Sequence, residues 1–263
     1  MSDGKVLRLA ISPCPNDTFM FDAIVNGRID CEGLRFEVEY HDIEDLNRGV
    51  VALGPDISKI SCAVLPQIVG GYRLLDSGAA LGRGNGPLLV RRKGEQEAIK
   101  RVLVPGEHTT ANALVCRLFP EIEERKPMLF SEIAAAVERG EADAGVLIHE
   151  GRFVYERRNL ELVADLGLEW ERQMQLPLPL GGIVIRRELG EELRVQVERI
   201  LRRSIEYAFA NPTLSREYIK AHAQELEDDV IDKHIALFVN EFSLSMGKQG
   251  REAMMRLTGL EEF

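Results

Sequence analysis

The chain has 263 residues, 45% of them hydrophobic, and a formal net charge of −10. That length can bury one large core or two smaller ones, and the acidic balance speaks against nucleic acid, whose phosphates demand a basic face. No stretch approaches the ~20 apolar residues of a membrane span, and the opening "MSDGKVLRLAIS" lacks the apolar core of an export signal, so a cytoplasmic protein without membrane insertion is expected.

In chain order, "VLRLAIS" (6–12) reads as a buried first strand. "DTFMFDAIVNG" follows as a helix, capped by Asn16, Asp17 or Thr18 and stopped by Gly27. "LRFEVEY" (34–40) alternates like a half-buried strand, "IEDLNRGVVAL" is a short helix ended by Gly54 and Pro55, and "ISKISCAVLP" (57–66) is a third strand. "YRLLDSGAALGRGNGPLLVRR" holds two apolar runs joined by a glycine-rich turn. The pattern restarts with a strand at 100–106, the helix "TTANALVCRLF", and a helix in "FSEIAAAVERGEADAGVLIHE" that stops at Gly140 before a strand ending at His149. A strand and turn in "LELVADLGLEWERQM" and a crossing strand in "LPLPLGGIVIRREL" come next. The segment "GEELRVQVERILRRSIEYAFA" carries apolar residues at 193, 197, 200, 201, 205 and 208, one helical stripe, and two further helices are expected near 212–225 and 227–246.

Alternating strands and helices predict an α/β protein. Two lobes are expected: residues 1–95 with 181–263, and residues 96–180. Ligands of open α/β sheets bind beyond the carboxyl ends of strands, which selects four polar clusters: Asn16-Asp17-Thr18, Ser61, His108-Thr109-Thr110 and His149-Glu150. Each has a plainer reading. Asn16, Asp17 and Thr18 could be only helix caps, as could Thr109; a lone histidine such as His149 is more often structural. Yet "VPGEHTTANAL" opens a helix where unpaired amides favour a carboxylate or phosphate, and an imidazole at a strand's carboxyl end can accept a proton at neutral pH. His108 could line the same cleft, whereas His41, His222 and His234 fall in solvated or helix-packing contexts. The cysteines Cys14, Cys31, Cys62 and Cys116 have no paired spacing, so free thiols and no metal site are expected. These residues support a two-lobed protein that closes on a small anionic molecule, with binding protein and enzyme both open.

The segments "SPCPNDTFMFDAIVNGRID", "EDLNR", "SGAALGRGNGPLLV", "VPGEHTTANAL", "GEADAGVLIHEGRFVY" and "LPLPLGG" resemble, in order and over nearly the whole chain, the 1,4-dihydroxy-6-naphthoate synthases of the futalosine route to menaquinone. The resemblance implies a type II periplasmic-binding-protein-like fold and a lyase acting on cyclic dehypoxanthine futalosine without metal or redox cofactor. It implies His149 as the base, Ser61, Thr109 and Thr110 as substrate-binding groups, and Asn16, Asp17 and Thr18 as cleft-lining ones. Cys62 stands where the family has an aromatic residue after the serine, which bears on pocket shape. The chorismate dehydratase of the same route and a non-catalytic small-anion binding protein are the competing readings.

Overall fold

The computed structural model describes residues 5–84, 86–149, 151–223 and 227–263. The first half of the chain forms β1 (Val6–Ile11), α1 (Pro15–Val25), β2 (Arg35–Tyr40), α2 (Ile43–Val51), β3 (Ile57–Ser61), α3 (Leu65–Ile68), β4 (Tyr72–Leu74), β5 (Ala80–Gly82) and β6 (Leu88–Arg92). Next come β7 (Arg101–Val104), α4 (Thr110–Leu118), β8 (Glu124–Pro127), α5 (Phe130–Glu138), β9 (Ala144–Leu147), α6 (Gly151–Val154), β10 (Leu160–Asp165) and α7 (Leu166–Met174). The chain finishes with β11 (Leu178–Arg186), α8 (Glu191–Ala210), α9 (Arg216–His222), α10 (Asp228–Phe238), α11 (Glu241–Leu244) and α12 (Gly247–Thr258).

Two sheets result. The first runs β2-β1-β3-β11-β4, with β5 also on β11, and the second runs β10-β6-β9-β7-β8. β1 is parallel to both of its neighbours, and so is β7. Each is therefore a point where connections leave in opposite directions and open a crevice at the carboxyl ends. Ser12 to Thr18 follow β1, and Gly106 to Thr110 follow β7. Because β6 pairs with β9 and β10, we place it in the second lobe, a few residues before the boundary expected at 95.

All six stripe residues of α8 are buried, and they pack on β1 through Leu7, Leu9 and Ile11 and on α1 through Phe19, Met20 and Phe21. The C-terminal helices thus rejoin the first sheet. Several local expectations change. α1 starts at Pro15 with Cys14 at its N-cap, so Asn16, Asp17 and Thr18 are first-turn residues rather than caps; proline at N1 is pre-set for helix and moves the start upstream. β3 ends at Ser61 instead of 66 and gives way to short helical turns around Pro66, whose missing N–H ends strand pairing. The segment 166–174 is helix α7, capped by the Asp165 carboxylate, not a turn. The expected helix near 227–246 breaks at Asn240, whose side chain caps α11, and α12 forms beyond it. The glycine-rich turn at 82–86 includes residue 85, and Glu150 stood beside His149 in its cluster; both residues lie outside the described residues.

Candidate active site

A cleft is lined by groups from both lobes, among them Asn16, Lys59, Ser61, Thr109, Thr110 and His149. The expected site residues Asn16, Ser61, Thr109, Thr110 and His149 are therefore together. Asp17 and Thr18 are buried behind the wall, and the Thr18 hydroxyl donates back to the Cys14 carbonyl at 3.0 Å.

On the first-lobe side, Asp17 organises the wall. Its carboxylate accepts from the Ser12 amide at 3.1 Å, the Ser12 hydroxyl at 2.7 Å, Asn16 Nδ2 at 2.8 Å and Lys59 Nζ at 2.8 Å. Both charges are buried, with side-chain exposures of 0% for Asp17 and 6% for Lys59. Gly181 of β11 lies over this pair; a Cβ there would meet the Ile60 carbonyl at 2.7 Å and Lys59 Cε at 2.9 Å.

Ser61 ends β3 and is set by Asn47 of α2. The Ser61 amide donates to Asn47 Oδ1 at 2.8 Å, which orients the Asn47 amide so that Nδ2 donates to Ser61 Oγ at 3.0 Å. The hydroxyl accepts that bond, so its own proton is left to donate into the cleft.

The plainer reading of Thr109 as a cap holds, and the Thr110 hydroxyl is likewise engaged within the protein. Thr109 caps α4: its hydroxyl accepts from the Asn112 amide at 3.2 Å and donates to the Gly106 carbonyl at 2.8 Å. The Thr110 hydroxyl donates to Leu180 O at 2.9 Å and accepts from the Ala63 amide at 3.3 Å, tying the second lobe to the first. What these residues can offer an anion is backbone: the first amides of a helix have no intrahelical acceptor. His108 lies at the interlobe seam, Nδ1 2.7 Å from Glu44 Oε1, with its amide donating to Oε2 at 3.1 Å.

His149 lies just past β9 with a left-handed φ of 51°, a conformation uncommon outside glycine and often found at functional sites. Its ring meets Phe130 edge-on at 5.1 Å and lies nearly parallel to His234 at 5.9 Å and 13°. Burial pushes the His149 pKa down to about 4; Lys59 lowers it further, and Asp17 and Asp42 oppose. Burial, then His149, Lys59 and Arg152, hold His234 well below the ordinary imidazole range. Both rings are uncharged at neutral pH.

The low His149 pKa has a stability consequence. Between about pH 6.5 and 4 the unfolded chain takes up a proton that the folded chain refuses, so stability is complete above ~6.5 and declines as pH falls toward ~4. Thermal denaturation in that window should show His149→Asn losing less stability with acidification than the wild type, by at most about 3.4 kcal/mol. Equal acid sensitivity would show that the imidazole is not desolvated.

Sequence reasoning passed over His234, Lys59, Asn47 and Arg152. Each had a signal. His234 falls on the buried stripe of α10 with Val230, Ile231 and Phe238; Lys59 is the one charged residue of the strand "ISKIS"; Asn47 stands within "EDLNR". Arg152, another cleft cation, donates to Asp165 Oδ2 at 3.1 Å and Gly86 O at 2.6 Å.

Two α/β lobes, joined by crossing strands around a cleft at their switch points, define a protein of the periplasmic-binding-protein fold. A Candida albicans protein described as having that fold superposes with a TM-score of 0.70 at 11% identity, over 98% of this chain and 92% of its own. More specifically, the chain belongs to the menaquinone-biosynthesis family, whose model matches residues 7–262. The curated 1,4-dihydroxy-6-naphtoate synthase of Thermus thermophilus is 45% identical, over 96% of this chain and 93% of its own length. The crystal structure of protein AF1704 from Archaeoglobus fulgidus matches with a TM-score of 0.89 and 35% identity, over 96% of this chain and 95% of that one.

Proposed function

We propose that this protein converts cyclic dehypoxanthine futalosine to 1,4-dihydroxy-6-naphthoate, acting as a lyase. The observation that carries the reading is the uncharged imidazole of His149 in a cleft shared with the Ser61 hydroxyl and the N-terminus of α4. His149 removes a proton from the bound substrate. Ring opening by elimination or a retro-aldol-type step then releases the sugar-derived fragment, and aromatisation drives the reaction. The Ser61 proton bonds a substrate oxygen. The first amides of α4 hold the carboxylate, a role that the committed hydroxyls of Thr109 and Thr110 leave to the backbone. Asn16, with its amide engaged by Asp17 and His234, shapes the wall and keeps a second Nδ2 proton for substrate. Positioning of this kind removes up to ~7–11 kcal/mol of barrier in favourable cases. A small molecule is the only partner this reading requires, and cytoplasmic residence belongs to it, supported by relatives named as biosynthetic synthases.

Incubation of purified protein with cyclic dehypoxanthine futalosine should produce the naphthoate chromophore. Dehydration of chorismate instead would assign the sister reaction, and tight binding without turnover would leave a solute-binding role. Ser61→Ala should raise KM about 3–10-fold, the worth of one neutral hydrogen bond of ~0.5–1.5 kcal/mol. An unchanged KM in steady-state kinetics would remove Ser61 from substrate contact.

A further inference from the structure

Position 234 belongs to the innermost stripe of α10, between Ile231 and Phe238, and is 0% exposed. An apolar residue would satisfy that environment without the desolvation cost of an imidazole. The histidine is instead wired to the cleft wall. Lys59 and Ser12 hold Asp17, and Asp17, which as a carboxylate only accepts, takes the Asn16 Nδ2 proton at 2.8 Å. That turns Asn16 Oδ1 toward His234 Nε2 at 2.9 Å, so Nε2 must be the protonated nitrogen and Nδ1 the one with the lone pair. The His234 ring cannot rotate without breaking this bond. Among its other neighbours are the ring of Phe238, 4.8 Å away, and the ring of His149, to which it lies nearly parallel.

We propose that His234 is a positioning residue: anchored by the chain from Lys59 through Asp17 and Asn16, it fixes the plane in which the His149 ring is presented to the cleft. The inference rests on the base role given to His149 above. Two rings flank the His149 side chain, those of Phe130 and His234. Phe130 meets the ring in a T-shaped contact from the second lobe, and His234 lies nearly parallel to it from the first. The base therefore reaches its working orientation only when the two lobes are together, with its plane set by the lobe that carries Ser61.

Two variants separate the anchor from the flat ring. His234→Phe keeps a planar ring and loses the bond to Asn16; His234→Gln keeps a donor for Asn16 and loses the plane. In both, kcat should fall by about 10–100-fold, the cost of misplacing a reacting group by a fraction of an ångström to an ångström, while KM stays within about threefold. NMR should show altered nuclear Overhauser contacts between the His149 and Phe130 rings in both, a readout of ring orientation rather than of the lost ring current. Thermal melts establish that each variant is folded at the assay temperature. Unchanged His149–Phe130 contacts in a folded variant overturn the inference whatever its turnover, and so does a kcat within about twofold of wild type. If the wild type itself does not turn over cyclic dehypoxanthine futalosine, the proposed activity falls, and the NMR comparison by itself decides whether His234 orients His149.

Discussion

Replacing His149 with asparagine should leave substrate affinity near the wild-type value and lower kcat by about 10²–10⁴-fold, the usual contribution of a general base. The choice of asparagine matters. Position 149 has a φ of 51°, and asparagine is among the few non-glycine residues that accept this conformation readily. The backbone, and with it the cleft between β9 and the first lobe, should survive the change. The amide offers no nitrogen lone pair of comparable basicity, so only the proton transfer is lost. The expected signature is a kcat effect with little change in KM, since an interaction made mainly in the transition state has gone. Product absorbance at saturating substrate gives kcat directly, and a titration of substrate into the slow variant gives its affinity. Turnover at the wild-type rate would exclude His149 as the base even if every other feature of the cleft proved correct.

The second large effect is on stability. Lys59→Met should destabilise the protein by about 3–5 kcal/mol, because it strands the Asp17 carboxylate in a site with 0% exposure. Ser12 and Asn16 would still donate to that carboxylate, but no positive side chain would remain against it at 2.8 Å. For a chain of this size the loss corresponds to a fall in Tm on the order of 10 °C. The double variant Lys59→Met with Asp17→Asn should recover much of it. A buried pair removed together leaves no uncompensated charge, whereas one removed singly does. Chemical denaturation of the three variants and the wild type closes the cycle. A single-variant cost below about 1 kcal/mol would mean that Asp17 is better hydrated than its burial indicates.

Both predictions concern residues whose importance differs greatly between sequence and structure. His149 was readable because it directly follows an apolar strand and precedes a turn. Lys59 carried no expectation in a short strand where it follows a serine and precedes an isoleucine. A lysine in a strand with burial on every residue requires a partner, but nothing in the sequence says that the partner is Asp17, 42 positions earlier. Thr109 and Thr110 were readable as the mouth of a helix, and they are. Which of their atoms face a ligand depended on where their hydroxyl protons went, to Gly106 and to Leu180, and the second of those acceptors lies on the crossing strand.

By itself the sequence determined the α/β alternation, most of the strand and helix positions, the stripe of α8 and the polar clusters after β1, β3, β7 and β9. These follow from local periodicity, capping and turn chemistry, which act over a few residues. The tertiary structure decided that α10 folds back to lay His234 beside His149, that Asp17 and Lys59 meet in the wall, and that β6 joins the second sheet. Those outcomes come from burying apolar faces against one another over separations of tens to hundreds of residues. A histidine on a helix stripe looks the same in sequence whether its neighbour in space is a leucine or a catalytic base.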